Sequence, residues 1–189
     1  MTVFAQRTVT RREVEVGGST KSQLIRKLRQ ASIRLNRYAM KLFREERFTV
    51  SDSKRVLRTV ELTVGDLGYV KGATATEILV KAGRLGLEPC PLELGPYFRL
   101  AYLDQPEGSF GSPVRQHRAP VGSITIASEP LDADPATPKG FYLRRIDGAL
   151  WLRGYLSDAA HVWSPDDHLV FTELGRSVQP PGSSIGARG

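Results

Sequence analysis

The stretch FYLRRIDGALWLRGY, residues 141–155, decides the fold that the sequence predicts for the second half of the chain. Asp147-Gly148 separates two strand-like runs, Phe141–Ile146 and Ala149–Tyr155. An Asp-Gly pair between two such runs is typical of a β-hairpin with a type I′ turn, because both central residues of that turn adopt positive φ. The stretch therefore predicts two antiparallel strands joined by a two-residue turn.

Further strands and one helix are predicted on both sides of this hairpin. Thr74 and Glu77 have the spacing of a helix-capping box, and Gly86 is placed to end the helix that they begin. Residues 92–98 are a candidate for a further helical turn. The strand-like runs are Arg58–Val64, Phe98–Leu103, Ser123–Ala127 and Leu169–Thr172.

The first 53 residues combine a short strand or arm with two helices. Thr8–Val16 alternates polar and apolar positions, and Gly17-Gly18 ends the alternation. Thr20 and Gln23 form a second capping-box spacing, so a helix is predicted to begin there. Asn36 is placed as the N-cap of the next helix, after a short connection.

Together these elements predict an α+β protein with a basic helical N-terminal segment followed by an antiparallel sheet that carries one or two helices. Three parts are expected: the basic helical segment 1–53, an α+β domain at 54–175, and a disordered tail at 176–189 that is rich in Pro, Gly and Ser. The composition, 40% hydrophobic and 25% charged, is ordinary for a globular protein.

The single cysteine and the absence of long apolar runs in the sequence favour a cytoplasmic protein. Cys90 has no second cysteine for an internal disulfide. The first residues lack an apolar run of signal-peptide length, and no run approaches the roughly 20 apolar residues of a membrane span. We therefore expect a cytoplasmic location and no membrane partner, and the oligomeric state stays open.

Positive charge is concentrated in the first third of the chain. Residues 1–58 carry fifteen Lys and Arg against five Asp and Glu, whereas residues 59–189 carry twelve against fifteen. A basic end on an otherwise mildly acidic chain indicates an anionic partner. The cations predicted to contact it lie on or beside the two helices and are Arg26, Lys27, Arg29, Arg34, Arg37, Lys41, Arg44 and Arg47.

Three explanations of this charge are open: nucleic acid, either DNA or RNA, a solvated face without a partner, and an acidic protein or membrane surface. We expect a non-enzymatic protein whose N-terminal helices contact nucleic acid, with the C-terminal domain as a scaffold or protein-contact module. The alternative is an adaptor or accessory subunit that docks an acidic partner. An enzyme that uses the Asp158–His168 region is the third hypothesis.

That third hypothesis depends on acids and histidines that are close in sequence. Asp158, His161, Asp166, Asp167 and His168 could gather at one acid–base or metal site. In the alternative, purely structural explanation, residues 164–167 form a polar turn whose Asp side chains form hydrogen bonds with nearby backbone groups. Cys or His pairs at the short spacing of a zinc site do not occur in the sequence. No catalytic residue, metal or cofactor is predicted.

Aromatic residues offer a second possible binding surface. Six of them could form a stacking platform for single-stranded bases, although their spacing in the predicted strands favours core packing. They are Phe98, Phe141, Tyr142, Trp151, Tyr155 and Trp163.

Four stretches resemble small uncharacterised bacterial proteins for which no activity is established. They are TVELTVGDLGY at 59–69, LGLEPCPLELGPYFRLAYLDQPEG at 85–108, GFYLRRIDGALWLR at 140–153 and HVWSPDDHLVF at 161–171. Lys21–Phe48 resembles an N-terminal segment that some of these proteins carry. Some carry a helicase label, but a helicase needs a Gly-rich phosphate loop that ends in Lys-Ser/Thr, and this sequence has none.

Overall fold

A curled mixed sheet of eight strands forms a half-barrel at the centre of the computed structural model, which describes residues 9–108 and 119–174. The strands of the described residues are β1 (Thr10–Val16), β2 (Arg34–Leu35), β3 (Arg55–Thr63), β4 (Ala73–Thr74), β5 (Leu87–Glu88), β6 (Ile124–Ile126), β7 (Gly140–Ile146), β8 (Ala149–Tyr155), β9 (Val162–Trp163) and β10 (His168–Glu173). Their helices are α1 (Lys21–Gln30), α2 (Arg37–Arg44), α3 (Ala75–Arg84) and α4 (Leu94–Ala101).

The strand order of the large sheet is β1-β3-β10-β6-β7-β8-β2, and β5 also pairs with β10. Strands β4 and β9 form a separate two-stranded sheet. Two pairs in the large sheet are parallel, β6 with β10 and β2 with β8, and its other pairs are antiparallel. The last strand of the described chain, β10, thus lies inside the sheet, whereas β1 and β2 lie at its two ends.

The hairpin predicted around Asp147-Gly148 is confirmed. Strands β7 and β8 pair from Gly140 opposite Tyr155 to Ile146 opposite Ala149. The two turn residues both have positive φ, 49° at Asp147 and 73° at Gly148. This backbone twist matches that of the flanking strands, as a type I′ turn requires.

The predicted helix starts are also confirmed. Thr20 with Gln23 and Thr74 with Glu77 form complete capping boxes at α1 and α3. The Asn36 side chain accepts a hydrogen bond from the Ala39 amide at the start of α2. Each cap satisfies amide donors that a helix N-terminus leaves unpaired.

The sheet separates two hydrophobic clusters, as the alternation along β10 shows. Val170 belongs to the first cluster, with Leu24 of α1, Leu42 of α2 and Leu143 of β7. Leu169 and Phe171, on either side of Val170, belong to the second cluster with Ile78 of α3. Because successive side chains of a strand point to opposite faces, α1, α2 and α4 cover one face and α3 packs on the other.

The predicted order of a helical N-terminal segment followed by an antiparallel sheet is wrong. Strands dominate, and the sheet is mixed. Strand β1 pairs with β3 along its whole length, and α1 and α2 pack in the same cluster as β7 and β8. The strands that pair in parallel, β2 and β6, have only two and three residues, too few to show a direction in sequence.

The strand predicted at Phe98–Leu103 is also wrong, because the helix α4 occupies most of it. The side chains of α4 are buried around nearly all of its circumference, so its sequence lacks the polar face that marks a surface helix. Short apolar runs of this kind do not distinguish a strand from a buried helix. The predicted tail at 176–189 lies outside the described residues.

Candidate functional site

The eight predicted cations all lie at the surface, because α1 and α2 bury their opposite sides. Leu24 and Leu28 anchor α1, and Ala39, Leu42 and Phe43 anchor α2. All eight basic residues are exposed: Arg26, Lys27, Arg29, Arg34, Arg37, Lys41, Arg44 and Arg47. Because the apolar sides of α1 and α2 are fixed in the core, the basic side chains on their other sides face solvent.

Several of these cations already have partners within the protein. Arg47 forms ion pairs with Asp132 at 2.7 Å and with Glu45 at 3.3 Å, and its hydrogen bond lowers the pKa of Asp132. Lys41 Nζ donates to the Ala136 carbonyl at 2.9 Å, and Lys27 Nζ donates to Ser19 Oγ at 2.9 Å. These contacts reduce the part of the basic surface that is open to a partner.

The side chains of Arg26, Arg29 and Arg44 form no hydrogen bond or ion pair with any other described residue. Helix α1 contains no acidic residue at all, and α2 contains none between its caps. The positive charge of these three side chains is therefore uncompensated.

A second group of cations lies on the face of β7 and β8 that points away from α2. Arg153 lies 5.2 Å from the ring centre of Trp151 and 5.9 Å from that of Tyr142. Arg34 of β2 lies 5.7 Å from the same Trp151 ring, and Arg144 is the cross-strand neighbour of Trp151. We call these five residues the arginine–aromatic face. Tyr142, Arg144, Trp151 and Arg153 are partly exposed, and Arg34 is exposed.

The arginine–aromatic face is positively charged without compensating acids. Arg34, Arg144 and Arg153 form no ion pair with a described carboxylate. Burial raises the pKa of Tyr142, and the nearby charges of Arg153 and Arg144 oppose that rise. On the other face of the same hairpin, Arg145 is paired with Glu107 at 3.4 Å.

Core packing explains four of the six aromatic residues considered in the sequence. Phe98, Phe141 and Trp163 are buried in the two clusters, as expected, and Tyr155 packs against the second cluster. Tyr142 and Trp151 instead belong to the opposite face from Leu143 and Leu152. The alternation of side chains along a strand could have predicted this, because Tyr142 and Trp151 are each next to a core leucine and therefore point to the opposite face.

An open cavity of about 630 Å³ adjoins Tyr142. His161 lies at its wall, with its ring 5.1 Å from that of Trp163, and Asp158 accepts a hydrogen bond from the Ala160 amide at 3.0 Å. Burial raises the pKa of Tyr155 in the same wall. Ser123 and Thr125 add polar groups to the lining.

The structure does not bring the five acids and histidines together. Asp158 and His161 line the cavity, whereas His168 Nδ1 lies 2.9 Å from Glu61 Oε1 on the large sheet. Asp167 accepts the Ser164 amide at 2.7 Å, as the polar-turn explanation requires, and Asp166 is exposed. Within residues 9–108 and 119–174, no cluster of His, Cys, Asp and Glu could hold a metal ion.

Cys90 is buried, and its thiol donates to the Val170 carbonyl at 3.2 Å. Burial raises its thiol pKa, which disfavours the reactive thiolate. None of the helices in the described part of the chain is long and apolar enough to cross a bilayer.

Comparison with protein-family models, with curated proteins and with solved structures gives no match to this chain. The resemblance to small bacterial proteins therefore stays a prediction. The case for a function rests on the geometry and charge of the described residues.

Proposed function

We propose that this protein binds nucleic acid and that the cations of α1 and α2 contact its phosphates. The observation that carries the proposal is the uncompensated charge of Arg26, Arg29 and Arg44 on two helices whose other sides are anchored in the core. Lys and Arg that meet phosphates release counterions from the nucleic acid, which gives affinity without sequence specificity.

Exposed cations on or beside β1 and β3 support this assignment by contrast. Arg11 pairs with Glu173, Lys54 with Glu15 and Arg58 with Glu13. A purely solvated basic face needs no such difference between the helix cations and those at β1 and β3. The cations without acids are those expected to be neutralised by an external anion.

The test compares two triple variants with the same change in net charge. Arg26→Gln/Arg29→Gln/Arg44→Gln removes the three unpaired cations, and Arg11→Gln/Lys54→Gln/Arg58→Gln removes three paired ones. Binding to labelled random-sequence DNA and RNA is measured by fluorescence anisotropy between about 50 and 200 mM salt. The first variant should lower the slope of log affinity against log salt by about 3, whereas the control should change it little.

Equal losses in the two triple variants would show that only net charge matters and would overturn the assignment to α1 and α2. If wild-type protein binds neither DNA nor RNA at low salt but retains an acidic protein, the adaptor alternative replaces the proposal.

A further inference from the structure

We propose that the arginine–aromatic face binds single-stranded nucleic acid, with unpaired bases stacked on Trp151 and Tyr142 and phosphates bound by the three arginines. This inference rests on the proposed function and deepens it, because it names the strandedness of the ligand. The face lies on the sheet, outside α1 and α2.

Cations and rings alternate across the two strands of this face. Tyr142 lies opposite Arg153, and Arg144 lies opposite Trp151, so each ring has an arginine as its cross-strand neighbour. The guanidinium of Arg153 is within 6 Å of both ring centres. A base on either ring would therefore have a cation beside it for the adjoining phosphate.

Arg144 and Arg153 lie against the sheet. Their Nε atoms are buried and have no hydrogen-bond partner among the described residues. No described carboxylate forms an ion pair with these two residues or with Arg34. Three cations without acids, arranged around two partly exposed rings, are complementary to a ligand that has both negative charge and flat apolar surfaces.

Single-stranded nucleic acid is the ligand that supplies both features. In a duplex the bases stack on one another, and rings fixed on a sheet cannot reach their faces. An unpaired base exposes its π-face, and stacking on an aromatic side chain tolerates any base. An acidic peptide would satisfy the arginines but would leave the two rings without a role.

Arg34 connects this face with the proposed phosphate-binding helices. It lies in β2, between α1 and α2, and its guanidinium is over the Trp151 ring. Because β2 is the end strand of the sheet, a single-stranded nucleic acid bound on the arginine–aromatic face can pass over this edge toward the helices.

The fluorescence of Trp151 gives a direct test. The chain has two tryptophans, so a Trp163→Phe variant leaves Trp151 as the sole reporter. Oligo(dT) of about 16 nucleotides is titrated into this variant at about 50 mM salt, followed by a duplex of the same length. We expect oligo(dT) to quench Trp151 emission and to bind at least about fivefold more tightly than after Trp151→Leu, since stacking on one ring contributes that much.

A second pair of variants separates binding from folding. Arg153→Gln removes a cation of the face, and Arg145→Gln removes a cation from the other face of the same hairpin, where it is paired with Glu107. Both variants should melt near the wild-type temperature. Only Arg153→Gln should weaken oligo(dT) binding, and the loss should exceed that for the duplex.

The outcomes distinguish this inference from the proposed function. Duplex bound as tightly as oligo(dT), without a change in Trp151 emission, overturns the single-strand inference and leaves the helices as the nucleic-acid site. Absence of binding to both ligands, together with absence of binding to the random-sequence RNA of the first test, overturns both proposals. If polyglutamate displaces labelled oligo(dT) from the protein as well as unlabelled oligo(dT) does, the inference is overturned in favour of an acidic peptide.

Discussion

At the scale of single residues, the most distinctive contact is the pair between His168 of β10 and Glu61 of β3. His168 Nδ1 lies 2.9 Å from Glu61 Oε1, and Arg12 Nη1 donates to the other carboxylate oxygen at 2.8 Å. The hydrogen bond with Glu61 raises the pKa of His168. Burial opposes ionisation of Glu61, but the hydrogen bonds from His168 and Arg12 outweigh it and lower the carboxyl pKa.

These opposite shifts make the contribution of the pair to stability depend on pH. The stabilisation from His168 is complete below its unfolded pKa of 6.5 and is lost as pH rises through the higher folded value. The stabilisation from Glu61 is complete above its unfolded pKa of 4.5 and is lost as pH falls through the lower folded value. The pair therefore stabilises the fold most between these two values.

His168→Gln should consequently cost more stability at pH about 5.5 than at pH about 8.5. The effect is small, below about 1 kcal/mol, because the His168 side chain is 47% exposed and solvent screens the pair. Urea unfolding at the two pH values measures the difference, and about 1 M salt should shrink it. A loss that is the same at both pH values would show that packing, and not charge, accounts for the effect.

At the scale of elements, the β7–β8 hairpin depends on the backbone conformation of its turn. Gly148 has a φ of 73°, and a Cβ built there would meet no atom within 4 Å. Any cost of a side chain at Gly148 therefore comes from backbone strain and not from a collision.

Gly148→Val should destabilise the protein by about 1 kcal/mol or more, because a β-branched residue tolerates positive φ poorly. Gly148→Asn is the matched control, since Asn adopts this conformation several times more readily. Denaturant midpoints measure both variants. Equal midpoints for Val and Asn would mean that the turn relaxes without strain and that the hairpin is specified elsewhere.

Local signals predicted these elements better than they predicted the arrangement of the elements. The Asp-Gly turn and the caps at Thr20, Asn36 and Thr74 depend on residues a few positions apart, so the sequence displays them directly. The parallel pairing of β2 with β8 joins residues more than a hundred positions apart through only two residues. No local pattern specifies such a pairing. Helix α4 was not predicted in full because it is buried around most of its circumference and therefore has no polar face that would mark a helix in the sequence.

The candidate site shows the same division. Exposure of the helix cations follows from the apolar stripes of α1 and α2, which are visible in sequence. Which cations are free is not visible, because the partners of Arg47 and Lys41 come from residues 131–136, far along the chain. The arginine–aromatic face likewise depends on the contact of Arg34 with Trp151, which only the fold creates.

At the scale of the whole molecule, the boundary predicted at residue 53 crosses a continuous structure. Strand β1 pairs with β3 from Thr10 opposite Glu61 to Val16 opposite Arg55. The Ser51 amide and hydroxyl both donate to Glu93, at 2.8 and 2.6 Å. Buried Phe48 packs with Phe43 and Phe141. These contacts hold the connection between α2 and β3 against the rest of the protein.

Limited proteolysis tests whether residues 1–53 form a separable unit. We expect any cut between Phe48 and Arg58 to leave the two fragments associated, because β1 and the helices stay paired with the sheet and its core. Native gel filtration followed by denaturing electrophoresis measures this. Fragments that elute separately without denaturant would establish the two-part division predicted from the sequence.

The interior position of β10 has a consequence for synthesis of the chain. The ribosome releases β3 and β6 long before His168–Glu173, yet the sheet joins these two strands only through β10. Val170 completes one hydrophobic cluster and Leu169 and Phe171 complete the other, so both clusters stay open until this strand arrives. Pairings between such distant segments form slowly. Both clusters therefore expose apolar surface on the nascent chain until β10 is synthesised, and during this time the chain is prone to aggregation.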